Sequence, residues 1–347
     1  MLAGMAFQTA APPAVRSRDI AGVVSVIIGM VFFVGQDLLM KDLLVTFSIW
    51  LLMAVRGVVA LLVLVPLILT LGGPHRMFTP LWPLHLLRGL LFAVGFSLFY
   101  AAFPFMGLAE VSTIFFAAPL ITALLAVLFL GERIGWRRIG ALGFGFTGVV
   151  IAMAPDRGAI DWITILPLAC AVFYATGQVL ARVIGDRETM LTTGLYTIVF
   201  SSLAVLPMGW LLNQLVPLGA DMPHLGWHFP EIGADHLISL TLLGLVGMVG
   251  YLLLTRAYQI APASLVAPFD YCYLPLATLA ALVLWGEVPA TNTLAGMALI
   301  VASGLYLGYR ELVQARTPDK VPPTAEAVFM PGNPAAPISD APDALDR

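Results

Sequence analysis

Charge is scarce in this chain: only 11% of its 347 residues are Asp, Glu, Lys or Arg, against roughly 25% in a soluble domain. With 60% apolar residues and a mean hydropathy of +0.95, that shortage excludes a water-soluble fold. Cysteine is nearly absent. Cys170 and Cys272 both fall inside apolar runs, which supports neither a disulfide framework nor a thiolate metal site. No basic cluster occurs and the net charge is -3, so nucleic acid is not an expected partner. There is no His-Glu-x-x-His run, Walker loop, Gly-x-Ser-x-Gly elbow or paired-Cys motif, and no metal or cofactor is expected. The histidines, including His85, His224 and His228, fall in or beside loops. Pro223 and Gly226 make a solvated loop the expected setting for His224 and His228.

Long apolar runs are plentiful. They predict helices near 20–40, 45–72, 83–105, 109–130, 134–154, 160–184, 190–212, 236–260, 264–285 and 290–309, each about the 20 residues needed to cross a bilayer. The runs are continuous rather than alternating, which favours helices over a membrane barrel. The first run continues to Asp37 and Lys41 with no small-residue cleavage pattern, so it is expected to remain as a span. With the N-terminus inside, nearly all of the 17 Lys and Arg residues, Arg88 among them, fall on the cytoplasmic side. Lys41 and Arg157 alone lie opposite, Arg56 lies within a span, and the connection from Asn213 to Asp235 has no Lys or Arg. That asymmetry puts both termini in the cytoplasm. The residues from Thr317 onward are rich in Pro, Ala and Asp without apolar periodicity, which predicts disorder.

The two halves of the chain resemble each other at a separation of about 155 residues. Gly131-Glu132 recurs as Gly286-Glu287, the pair Gly140 and Gly148 as Gly296 and Gly304, and Pro119 as Pro275. The run Phe32 to Gln36 is echoed by Tyr174 to Gln178. Each copy holds five spans, and an odd number forces the second copy to cross the bilayer in the opposite sense. The expected fold is therefore an all-α integral membrane protein of ten transmembrane helices in two inverted five-helix repeats. Residues 1–18 form a cytoplasmic segment, 19–155 and 156–311 the repeats, and 312–347 a disordered cytoplasmic tail. Inverted repeats build secondary transporters with the substrate site near the midplane.

The order and duplication of these features resemble the drug/metabolite transporter superfamily, in particular its EamA-type ten-helix members. Lys41, Arg56, Pro119, Gly131-Glu132, Gly140 and Gly148 carry the likeness, with Pro275, Gly286-Glu287, Gly296 and Gly304 in the second copy. The resemblance implies a carrier of small organic solutes in the cytoplasmic (inner) membrane. Its central cavity would be walled by both halves, and the cargo amino-acid-like, nucleoside-like, vitamin-like or drug-like. No ATP-binding motif is present, so a coupling proton or a counter-substrate is the expected partner beside the solute and membrane lipid. The alternative from another class is an intramembrane enzyme acting on a lipid or lipid-linked substrate.

Few polar groups are available to line such a cavity. Phe33, Gln36 and Asp37 share one face of the first span, and Tyr174 and Gln178 repeat that geometry in the sixth. The glutamines either face cargo or hydrogen-bond neighbouring helices. Tyr100 and Tyr251 offer rings for a planar cargo, or pack between helices. Asp270 is the deepest acid, a proton or cation site if it is not neutralised by Arg256. Asp37, nearer the opposite end, is hydrated or paired with Lys41. Arg56, close to mid-membrane, needs a partner because an unpaired guanidinium there costs several kcal/mol. Its presence across differing cargos in the resembling family implies a structural role. Glu132 and Glu287 are expected to orient the turns that follow spans four and nine. The repeated glycines are expected to permit close helix approach, and Pro119 and Pro275 to supply kinks.

Overall fold

The computed structural model describes residues 17–71, 78–130, 135–154, 162–216, 222–261 and 263–315. Glu132, Gly131 and the expected tail from residue 316 onward lie outside the described residues. All described elements are helical. The first repeat holds α1 (Ser17–Leu43), α2 (Ile49–Leu71), α3 (Trp82–Ala101), α4 (Leu108–Phe115), α5 (Ala118–Leu130) and α6 (Trp136–Met153). The second holds α7 (Ile165–Ile184), α8 (Met190–Leu215), α9 (Ala234–Ile260), α10 (Ala263–Val266), α11 (Tyr273–Trp285) and α12 (Thr291–Ala315). Among the described residues, nine segments are long and apolar enough to cross a membrane. The tenth is α6, whose 18 residues open on Trp136, Arg137 and Arg138 and so average less apolar. α12 runs to Ala315, past the expected boundary of the repeat.

Local chemistry explains the helix ends. Thr189 caps α8, its side chain accepting from the Thr192 N–H, which satisfies one donor left over by helix geometry. α11 ends at Gly286, whose φ of 67° lies in the left-handed region; only glycine enters it without strain. Spans four and nine are both broken, at corresponding places. A proline ring clashes with the carbonyl four residues earlier. Four before Pro119 is Phe115, the last residue of α4. Four before Pro275 is Tyr271, inside the 3-10 turn Ala267–Cys272 that separates α10 from α11.

The helix pairing carries the two-fold relation between repeats. α1 packs on α9 as its mate α7 packs on α3, while α2 pairs with α8 and α6 with α12, each against its own mate. The α6–α12 crossing is backbone-close, since a Cβ built on Gly296 would stand 2.5 Å from the Gly148 carbonyl oxygen. Gly304 receives the Tyr271 ring in the same way. Two glycines depart from the expectation of close approach. Gly140 faces open space, and Gly286 is the turn residue just described.

Candidate functional site

The deepest polar cluster is built on α1. Asp37 is 0% exposed and accepts three hydrogen bonds: from the Tyr273 hydroxyl at 2.6 Å, the Tyr100 hydroxyl at 3.1 Å and the Gln36 amide at 3.2 Å. Arg56 on α2 donates to the Tyr100 oxygen at 2.9 Å. One phenol thus stands between the guanidinium and the carboxylate. The partner that Arg56 requires is therefore Asp37, reached through Tyr100, and Asp37 is buried and not paired with Lys41, which meets Glu287 instead. Tyr273 enters the cluster as the first residue of α11, delivered by the break in span nine. A fully buried charge is tolerated only when its hydrogen bonds are satisfied, and here three helices and a helix break supply them.

Beside this cluster lies a cavity between α1, α2, α3, α8 and α9. Gln36, Arg56, Phe92, Ser201, Gly247 and Tyr251 are among its walls. Its volume open to water centres is about 40 Å³, room for about three waters and too little for a metabolite. The cavity is partly open rather than enclosed. Gly247 is the tight point of the wall, since a Cβ there would lie 1.9 Å from the Gln36 Oε1 atom.

Toward the other end of the helices the second repeat has its own acid and phenol. Asp270, 3% exposed, accepts from the Tyr258 hydroxyl at 2.9 Å. Arg256 is exposed and makes no ion pair with Asp270. Its position on α9 turns it outward while Tyr258, two residues on, turns inward. Tyr174 packs edge-on against Phe96 and Phe115, Phe33 is wholly buried in the core, and the Tyr251 hydroxyl donates to the Met190 carbonyl at 2.9 Å. Gln178 is 1% exposed. Of the residues singled out from the sequence, Gln36, Asp37, Tyr100 and Arg56 form one cluster, with Tyr251 across the cavity. Asp270, Tyr174 and Gln178 stand apart toward the other end, and Phe33 belongs to the helix packing.

Glu287 does more than shape a turn. It pairs with Lys41 of the first repeat, and its other oxygen accepts from the Leu108 N–H, at the start of α4, at 3.1 Å. Lys41 also donates to the Met106 carbonyl at 3.4 Å and stands 5.2 Å from the Trp285 ring centroid. This closes one face of the protein across the two repeats.

Arg88 and two histidines differ from expectation. Arg88 is 3% exposed, turned inward from α3 rather than outward to a cytoplasmic surface. His85 is fully buried and stacks on Tyr196 at 4.9 Å between centroids. His224 is not solvated: its Nε2 atom lies 3.2 Å from the Ala101 carbonyl. Burial lowers its pKa below the ordinary 6.5, so that the ring is neutral in the fold, and its contribution to stability is lost as pH falls below that value.

Two inverted five-helix repeats, each with a broken fourth span, a small cavity between them and an ion pair joining them at one face, have the architecture of a secondary carrier. The EamA-like transporter family matches residues 20–154 and again 161–309. The chain belongs to that family and is a multi-pass membrane transporter of small metabolites. It is 30% identical to a riboflavin transporter of Rhizobium johnstonii, over 67% of this chain and 72% of the relative. It is 27% identical to a riboflavin transporter of Vibrio cholerae, over 76% and 83%. To an S-adenosylmethionine uptake transporter of Rickettsia bellii it is 26% identical, over 65% and 72%. A solved crystal structure shares the fold with a TM-score of 0.55 and 18% identity, covering 84% of this chain and 98% of its own.

Proposed function

We propose that the cargo is a planar heteroaromatic metabolite, of the flavin or adenosyl kind, carried through the cavity between the repeats by alternating access. The observation that carries this reading is the make-up of the cavity wall, which sets the rings of Phe92 and Tyr251 beside the Gln36 amide and the Arg56 guanidinium. Flat rings offer stacking area to a flat cargo. An amide matches the donor and acceptor edge of a heterocycle. Riboflavin and S-adenosylmethionine, named for the relatives, both have such a ring system. The carrier sits in the cytoplasmic membrane with both termini inside, so the Lys41–Glu287 face is external. A proton on Asp270 or a counter-substrate supplies the driving force, and no chemical change is made to the cargo.

The test is flux of riboflavin and of S-adenosylmethionine into vesicles holding the purified protein. Gln36→Ala is expected to raise the KM for the transported compound by about three- to tenfold, the worth of one hydrogen bond, with unchanged membrane abundance. Wild-type kinetics in that variant overturn its place in the site. Release of an altered product from a lipid substrate, without flux, overturns transport itself.

A further inference from the structure

Arg88 is the buried charge that the clusters above leave unexplained. Its guanidinium donates to the Gly177 carbonyl at 3.2 Å and to the Thr197 hydroxyl at 2.6 Å. Both partners are neutral, and no described carboxylate lies within salt-bridge distance of it. A guanidinium has five N–H donors, so those two bonds leave donors over. The titratable groups facing it are the phenols of Tyr174 and Tyr251 and the ring of His85, none of them a carboxylate.

Further polar atoms near it lack partners. Both ring nitrogens of His85, one turn before Arg88 on α3, have no hydrogen bond among the described residues. The Thr193 hydroxyl, one turn before Thr197 on α8, likewise has none. His85 and Thr193 are each 0% exposed. Buried polar atoms left unsatisfied are uncommon in native structures, and here they lie one helical turn from Arg88 and from its partner Thr197. Arg88 and Thr197 do not line the cavity but lie one helical turn from residues that do, Phe92 and Ser201.

The internal duplication gives an independent argument. The Arg88 stem lies against Gly177 on α7, and the mate of that glycine, Gly35 on α1, packs against Val246 on α9. The two-fold relation thus makes Val246 the counterpart of Arg88. A residue needed only for helix packing has an apolar mate that does the same work. The guanidinium is therefore an addition to one half of the molecule.

We propose that Arg88, His85 and Thr193 form a buried anion subsite reached from the cavity past Phe92 and Ser201, and that the preferred cargo carries a carboxylate or phosphate group which docks there. This rests on the transport reading above and narrows its substrate class.

The experiment measures flux in phosphatidylcholine vesicles, with and without phosphatidylglycerol, using two matched pairs of compounds. Riboflavin is compared with riboflavin 5′-phosphate, and S-adenosylmethionine with its decarboxylated form. Wild type is expected to prefer the acid-bearing member of the transported pair by at least tenfold in kcat/KM. Arg88→Gln is expected to abolish that preference while flux of the partner compound continues. If Arg88→Gln does not yield a monodisperse protein, Arg88→Lys is read instead, with an expected preference reduced severalfold by loss of the planar fork. Equal flux of both members in wild type, or a preference that survives the substitution, overturns the anion subsite and leaves transport standing. A preference that depends on phosphatidylglycerol overturns it in favour of a lipid headgroup. Absence of flux for all four compounds overturns the planar-cargo reading and the subsite together.

Discussion

Glu287→Gln is expected to unlatch the face that carries Lys41. The Lys41–Glu287 pair joins the two repeats, and the second Glu287 oxygen also holds the start of α4. Both side chains are partly exposed, 15% and 27%, so solvent weakens the ion pair itself. The combined loss of the pair and the helix-start contact is about 1–2 kcal/mol, which shifts an equilibrium by roughly five- to thirtyfold. The reporter is Leu44→Cys beside the latch, 5% exposed, in a background with Cys170 and Cys272 replaced by alanine. Its reaction with a membrane-impermeant maleimide is expected to accelerate by that factor. The exchange Lys41→Glu with Glu287→Lys is expected to restore much of the protection. An unchanged rate in Glu287→Gln would show that the pair does not hold this face shut.

The two buried acids are expected to separate when each is removed. Asp37 gathers donors from α1, α3 and α11 and faces Arg56 through Tyr100. Asp37→Ala leaves the guanidinium uncompensated in the interior, at a cost of about 3–5 kcal/mol, read as a large drop in thermal midpoint in detergent. Asp270 meets the Tyr258 phenol, with Tyr174 and Cys272 as the neighbouring titratable groups. Asp270→Asn keeps the shape and the acceptor. It is expected to preserve the midpoint and to flatten the dependence of uptake on external pH. A collapse of stability in Asp270→Asn, or an unaltered pH profile, would remove the proton from that residue.

Much of the architecture was legible because membrane spans are read from composition and length. The repeat was legible because prolines and glycines recur in order. The scarcity of polar residues in these spans singled out Gln36, Asp37, Arg56 and Tyr100, but the sequence assigned Asp37 to water or Lys41, because which helices face one another is not readable from their composition. What escaped depends on rotation and on distance along the chain. Counting basic residues near helix ends treats Arg88 as a cytoplasmic marker. Whether a side chain seven residues into a helix snorkels out or turns in depends on the helices that flank it, here α7 and α8. Lys41 and Glu287 are 246 residues apart, so no local pattern joins them. The Asp270–Arg256 pairing failed on rotation alone, because residues two apart on a helix point to nearly opposite sides, and Arg256 is exposed where Tyr258 is buried.

The broken fourth spans differ between the repeats in winding. The second repeat spends six residues, Ala267–Cys272, in a 3-10 turn, while the matching stretch of the first repeat is α-helical up to Phe115. A 3-10 residue rises about 0.5 Å more than an α-helical one, so six of them lengthen a segment by about 3 Å. If each repeat adopts the other's backbone when the carrier reverses, the stretch migrates from one half to the other. Spin-label distances along α4 and along the stretch Ala267–Cys272 should then change by that amount in opposite directions, and equal or absent changes would rule the exchange out. The transporter would work as a spring passed between two hands, with the direction of the cargo set by which hand holds the extended coil.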